Sequence, residues 1–206
     1  MIGQYDSSFV RRVGIAARIY EFDFEHRPWS VFADKDKIAK YNPLSRVPTL
    51  VLDNGDVLVD SNTIIDFLDR KAGAEPALFP TSEPSRYQQM NIASIATGIA
   101  EKGVARFYEV AMYERDSTVL KQRFADQVTG VMDYLENACL KLDKQYWFGD
   151  EFGHADIAVT CMIAHMKASH PAEFDMKKWP ALSALSEGLE AKAVFRDIYQ
   201  SFIAPT

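Results

Sequence analysis

The sequence predicts a mixed α/β domain followed by an all-helical one. Two observations carry that expectation. Up to residue 76, short apolar runs of strand length alternate with short helical patterns, whereas beyond residue 85 the strand signal fades and long stretches of helical periodicity take over. Between the two regimes Pro76, Pro80 and Pro84 interrupt any regular element. The predicted organisation is therefore a domain over 1–76, a linker over 77–84 and a helical domain over 85–206.

Each element has a local reason. Residues 2–5 read as a brief strand. Residues 9–21 read as a helix, with Val10, Val13, Ala17 and Tyr20 on one face. Residues 25–32 are extended with Pro28 inside, the signature of an edge strand. A short polar helix over 34–40 and a loop lead to strands at 49–52 and 57–59. These flank Asn54-Gly55, the pair best suited to a tight antiparallel hairpin. Residues 61–72 form a helix with Ile64, Ile65 and Leu68 inward and Gly73 as its stop. A strand–helix–strand start implies a right-handed crossover and a parallel pair, and the hairpin adds antiparallel strands. Downstream, helices are expected over 86–113, over 118–142 (opened by Asp116-Ser117), over the strongly apolar 155–167, and from Pro180 to 191.

Bulk properties narrow the function. With 206 residues, 48% hydrophobic, 25% charged and a net charge of −6, the chain suits neither nucleic acid nor an anionic membrane as main partner. No apolar run approaches the ~18–20 residues of a membrane span, and the N-terminus carries no secretion signal. Only Cys139 and Cys161 occur, which fits a reducing cytoplasm and offers no disulfide framework. Arg11-Arg12 and Lys177-Lys178 read as solvated basic pairs. His26, His154, His165 and His170 show no ligand spacing, so no metal is expected.

Three short stretches are chemically suggestive. Pro48 abuts a buried strand. It is either a tolerated first residue, or part of a cis Val47-Pro48 link that leaves the Val47 main chain open to an extended peptide. Asp60-Ser61 opens a helix. It is either a plain N-cap or a site where Ser61 and the first amides meet a carboxylate while Asp60 answers an ammonium. Ser7, at the mouth of the first helix, either caps that helix or donates a hydrogen bond to a bound thiolate. Together they describe a cradle for an extended peptide with an amino-acid-like head.

With these elements in place, the chain resembles the glutathione transferase family along nearly its whole length. The stretch NPLSRVPTLVLDNGDVLVDSNTIIDFLD is similar to the family's Val-Pro, strand, turn, strand, acidic-Ser signature. SSFVRR is similar to the Ser-Pro-Phe-Val-x-Arg of serine-type members. FGDEFGHADIAVTCMIAH is similar to the C-terminal capping-box motif, and WPALSALSEGLEAKAVF to the last family helix. The resemblance implies a thioredoxin-like N-terminal domain and a helical C-terminal domain, with glutathione as co-substrate and a homodimeric assembly. Carried over by position, Ser7 meets the glutathione sulfur, with Tyr5 and Ser8 as rivals. Val47, with Pro48 cis, pairs with the cysteinyl part. Asp60 and Ser61 hold the γ-glutamyl head, Arg46 reaches the glycyl carboxylate, and Phe9 adjoins the site. Ser8 stands where the family has proline, Ser45 where it has glycine, and Gly153 where it has a hydroxyl N-cap.

No cysteine occupies the position of Ser7, so dithiol exchange is not expected. The implied reaction is activation of the glutathione thiol for attack on a small hydrophobic electrophile, in conjugation and detoxification. Peroxidase or dehalogenase chemistry would use the same site, and a non-catalytic binding module is the other alternative. The second substrate is expected between the domains, bordered by Ser8, Phe9, Phe107, Tyr108 and Tyr113.

Overall fold

Strands β1 (Thr49–Val51) and β2 (Val57–Val59) pair antiparallel, with Thr49 opposite Val59 and Val51 opposite Val57. Gly55, at φ +90°, closes the turn, and the Asn54 side chain receives the Asp56 amide at 3.0 Å. The structure is a computed structural model that describes residues 1–74 and 77–204. Ile2 extends the sheet, bridging antiparallel to Thr49 and parallel to Arg27. The lateral order is thus Arg27, Ile2, β1, β2, the mixed arrangement that the sequence predicts.

The expected strands over 2–5 and 25–32 shrink to those single bridging residues. Gly3, at φ +129°, turns the chain out of the sheet. Its backbone is wedged so tightly that a Cβ there would lie 2.6 Å from Val10 and 2.8 Å from Val47. On the other strand Pro28 has no amide to offer, and the Trp29 amide folds back onto the Arg27 carbonyl.

Helix α1 (Ser8–Ile19) ends two residues before the expected 21, where Tyr20 caps it and Glu21 takes φ 56°. The helix α2 (Lys35–Ile38) is a single turn. Helix α3 (Ser61–Ala72) has the predicted bounds and ends at Gly73, φ +89°. The helical part comprises α4 (Ser85–Ala111), α5 (Thr118–Cys139), α6 (His154–Ser169), a 3-10 turn (Met176–Lys178), α7 (Pro180–Glu190) and a short α8 (Ala193–Asp197). Five residues are too few to show a helical period, and α8 was not expected.

Packing of α1 against α3 on one side and α6 and α8 on the other corrects a sequence expectation. Arg11 and Arg12 are 3% and 1% exposed and not solvated, because this helix has no outer face there. Arg11 answers its burial with a two-pronged pair to Glu190 (2.7 Å each) and with bonds to the Phe195 and Ile198 carbonyls. Lys177 and Lys178 are exposed, as expected.

Helix α6 is the centre of the helical part, buried from its cap through Ile163. Val159, Met162 and Met166 pack with Ala96, Met132 and Leu135. Its N-cap, Gly153, has a different meaning from a lost hydroxyl. A Cβ there would sit 2.6 Å from both the Leu78 carbonyl and the Gln89 amide. Those same groups take the first amide of the helix, His154 donating to Leu78 O (3.2 Å) and Gln89 Oε1 (3.0 Å). The Asp156 carboxylate accepts from the Gly153 amide at 2.9 Å, the surviving half of the box. Gly153→Ser, which restores the family's hydroxyl, is therefore expected to destabilise the protein by roughly 1–3 kcal/mol through overpacking. Urea unfolding measures it, and a gain in stability would mean that the cap was deficient.

The stretch expected as a linker is not a loose tether. Residues 75–76, and with them the predicted boundary at 76 just before this stretch, lie outside the described residues. Phe79 is buried against His154 with ring centroids 4.3 Å apart, and the Leu78 and Phe79 amides both bond Asp69 at 3.1 Å. The Asp69 carboxylate also receives the Tyr20 hydroxyl at 2.6 Å. Since the single Tyr20 proton goes to Asp69, His154 Nε2, 3.0 Å from the Tyr20 oxygen, is the donor in that contact. One buried network thus ties α1, α3, α6 and the connecting segment together.

Candidate active site

Helix α1 is the frame on which the site is built. Ser7 stands at its N-cap with extended dihedrals, φ −73° and ψ 121°, and its side chain makes no cap hydrogen bond. The half-buried hydroxyl has no protein partner among the described residues, so the simple capping role is not taken up. Ser8 is buried at 5% exposure with its hydroxyl also unpartnered, closed away from any ligand. Ser8 therefore does not border a substrate pocket, contrary to expectation.

The other rival, Tyr5, stacks on His26 with centroids 4.0 Å apart and presses its ring against Gly14 of α1. Its amide donates to Gln200 Oε1 at 3.2 Å. Burial pushes its hydroxyl above the usual tyrosine pKa, partly offset by Arg18. Phe9 is partly buried and packs against the core of the helical part.

Opposite Ser7 lies the loop before β1. Asn42, buried at 1%, braces it by donating to the Arg46 carbonyl (2.9 Å) and Thr49 Oγ1 (3.0 Å) while accepting from the Leu44 amide (3.0 Å). Sequence reasoning passed over this asparagine, although its place in Asn-Pro-x-Ser was a signal. Ser45 takes φ 50°, which explains why glycine suits that place. The Val47-Pro48 bond is cis. Neither the amide nor the carbonyl of Val47 has a hydrogen-bond partner among the described residues, so one stretch of main chain leading into β1 is left open. Val47 also packs against Gly3, which brings it close to the start of α1.

The third wall is the mouth of α3. Asp60 adopts φ 71° and ψ 134°, costly for a residue with a Cβ, and its carboxylate accepts from the Asn62 amide at 2.7 Å. Ser61 is buried, and its oxygen accepts from Arg12 Nη1 at 3.1 Å, which leaves the hydroxyl proton free to donate. Arg46 is exposed and pairs with Glu101 of α4 at 3.0 Å, across the cleft between the domains.

Beside Ser7 the cleft is aromatic. Phe107 meets Phe202 at 5.3 Å, Phe202 meets His165 at 5.7 Å, and Tyr108 meets Phe32 at 5.4 Å. Asp6 ties the C-terminal segment to this wall: its carboxylate accepts from the Ile203 amide at 3.1 Å and its carbonyl from His165 Nδ1 at 3.2 Å. Tyr113, 67% exposed, stands outside it. Burial raises the thiols of Cys139 and Cys161 to about 11 and about 12, far from a reactive range. No group of His, Cys, Asp or Glu able to hold a metal ion occurs among the described residues, nor does a helix long and apolar enough to cross a membrane.

Comparison with known proteins bears on this geometry. Residues 1–76 match the family model of the glutathione S-transferase N-terminal domain, and residues 118–188 match that of the C-terminal domain. The chain is 26% identical over 202 residues to the GST-like protein YibF of Escherichia coli, covering 95% of each. It is 23% identical over 202 residues to a maleylacetoacetate isomerase of Pseudomonas aeruginosa, covering 95% of this chain and 92% of that one. Among solved structures, a glutathione S-transferase of Methylobacterium radiotolerans in complex with glutathione sulfonate superposes with a TM-score of 0.89 at 25% identity, covering 100% of this chain and 96% of that one.

Proposed function

We propose that this chain, which belongs to the glutathione S-transferase family, binds glutathione along Val47 and activates its thiol through Ser7 for attack on a small hydrophobic electrophile. The observation that carries the reading is the open Val47 main chain lying between two helix mouths. A hydroxyl without a hydrogen-bond partner among the described residues stands at one, and Asp60 and Ser61 at the other. An extended tripeptide fits such a cradle: its cysteinyl amide and carbonyl pair with Val47, its γ-glutamyl carboxylate meets Ser61 and the first amides of α3, and its ammonium meets Asp60. Arg46 serves the glycyl carboxylate once it exchanges its contact with Glu101.

The chemistry asks little more of the protein. The thiol releases its proton to solvent, and the thiolate is held by the Ser7 hydroxyl at the positive end of α1. Its sulfur then forms a bond to the electrophilic carbon, and the displaced group leaves with the electron pair. Phe107, Tyr108 and Phe202 favour an apolar second substrate, oriented beside the sulfur. We read the protein as a cytoplasmic homodimer, with the exposed Tyr87 and Met90 of α4 supplying apolar surface for the contact.

Retention on immobilised glutathione, followed by turnover with aryl halides, epoxides and hydroperoxides, tests the reading. Retention with thioether formation is expected. A chain that neither binds glutathione nor turns over any of the panel is a binding module of another kind. A second reading, glutathione-dependent isomerisation, is favoured by the near full-length match to the isomerase. There the sulfur adds to a double bond, the adduct rotates, and the sulfur leaves again. An isomerised product with glutathione unconsumed distinguishes it from conjugation.

A further inference from the structure

His165 is 9% exposed on α6, and only one of its two ring nitrogens is answered. Nδ1 lies 3.2 Å from the carbonyl of Asp6, the residue before Ser7. A carbonyl can only accept, so Nδ1 carries the ring proton and Nε2 is left with a lone pair. Nε2 is shut off from solvent and has no hydrogen-bond partner among the described residues. Burial lowers the ring's pKa below the ordinary histidine value; the Asp6 carbonyl opposes this and His170 adds to it. The ring is therefore neutral at neutral pH, an acceptor and not a cation. His170 shows the alternative: its Nε2 is 2.9 Å from the Gly103 carbonyl and its Nδ1 is 3.7 Å from the Glu173 carboxylate. A buried acceptor with no donor leaves the cost of its desolvation uncompensated.

The position of His165 says where the missing donor comes from. The Asp6 carbonyl fixes the ring against the turn that carries Ser7, and the ring meets Phe202 edge to face at 5.7 Å. Phe202 in turn meets Phe107 at 5.3 Å, so the histidine belongs to the aromatic wall of the cleft. Phe202 lies on the extended segment after α8. Two hydrogen bonds tie that segment to the mouth of α1, from the Tyr5 amide to Gln200 Oε1 (3.2 Å) and from the Ile203 amide to the Asp6 carboxylate (3.1 Å). A segment held so lightly yields more readily than the packed helices α4 and α6 when a ligand enters. We propose that His165 Nε2 accepts a hydrogen bond from the second substrate, which is then an apolar electrophile bearing a hydroxyl, a reading that rests on the function proposed above. Phe107 and Tyr108 hold the apolar body, and Phe202 gives way to the hydroxyl. His165 exchanges no proton with the substrate; it sets which electrophile is held beside the glutathione sulfur.

Three para-substituted benzyl chlorides, turned over by the full chain with glutathione, test the assignment. They are the hydroxymethyl compound, its ethyl isostere, and the methoxymethyl ether, which cannot donate. In each the sulfur forms a bond to the same benzylic carbon and chloride leaves with the electron pair. Relative to the uncatalysed rates with glutathione, kcat/KM for the alcohol is expected to exceed that for the other two at least about tenfold. His165→Asn, whose amide keeps the bond to Asp6 and withdraws the acceptor, is expected to level the three by lowering the alcohol alone. His165→Gln, whose amide oxygen reaches the position of Nε2, is expected to recover most of the preference. An ether as good as the alcohol, or a preference that survives in His165→Asn, overturns the inference. The substrate comparison needs only the wild-type chain, so it decides the matter even where a variant fails to fold. A wild-type chain that conjugates all three equally overturns this inference alone. One that forms no thioether with any of them and is not retained on immobilised glutathione overturns the proposed function with it.

Discussion

Replacing Ser7 with alanine is expected to slow conjugation roughly a hundredfold, the usual loss when one donor to a reacting anion is removed. The argument is local. The Ser7 hydroxyl makes no cap and no hydrogen bond among the described residues, so its removal breaks no contact of α1 there. Glutathione affinity, spread over Val47, Asp60 and Ser61, is expected to change by no more than about threefold, because the lost bond acts on the thiolate and not on the peptide. The signature is in the pH dependence. Without the donor the bound thiol titrates higher, so the rise of kcat/KM with pH moves to higher pH in Ser7→Ala. Thiolate absorbance at equilibrium with the enzyme reads the same shift. An unmoved profile would transfer the role to another group, and Ser8→Ala and Tyr5→Phe are then the comparisons to make.

The second large effect is structural. Asp69→Ala removes the acceptor for Tyr20, Leu78 and Phe79 and a partner of Arg86 and His154, all at once. Breaking a buried network of this kind costs about 3–5 kcal/mol. In a chain of this size that corresponds to a fall in Tm of roughly 10 °C, followed by calorimetry or far-UV circular dichroism. Burial opposes the Asp69 charge, but hydrogen bonds from His154, Tyr20 and the Phe79 amide outweigh it and hold the carboxyl down to about 2. Its contribution is present above the ordinary aspartate value and is lost as pH falls through about 2.

Two neighbours titrate in a higher window with opposite signs. Burial lowers His154 to about 4, so it stabilises the fold above its ordinary 6.5 and that support is lost as pH falls through 4. Burial raises Asp156 to about 6, so its contribution is full below the ordinary 3.8 and is lost as pH rises through 6. Between pH 6.5 and 4 the two oppose one another. Asp156→Asn is expected to steepen the loss of stability over that range relative to wild type, and an equally shallow profile would mean that Asp156 does not oppose it.

How much of this was legible depends on whether the cause was local. The α3 bounds followed from Asp60-Ser61 and Gly73, and the hairpin from Asn54-Gly55, because capping and turn chemistry reside in adjacent residues. The strands over 2–5 and 25–32 did not follow, since the strand pattern carries no sign of Gly3 wedged between Val10 and Val47. Arg11-Arg12 read as solvated because the burial of α1 on both sides is a property of the assembled fold. Gly153 read as a missing hydroxyl for the same reason: the groups that exclude a side chain there are Leu78 and Gln89, far away in sequence. At the candidate site, Ser7, Val47-Pro48 and Asp60-Ser61 were visible as a spaced motif. The brace by Asn42, the burial of Arg12 and the burial of Ser8 depended on three-dimensional neighbours.

A crystal structure with glutathione tests the central claim most directly. The account predicts two main-chain hydrogen bonds between Val47 and the cysteinyl residue, with the sulfur within about 3.5 Å of Ser7 Oγ. It also places the γ-glutamyl carboxylate on Ser61. A tripeptide bound elsewhere, or one lying in the cleft with its sulfur turned away from Ser7, would contradict it.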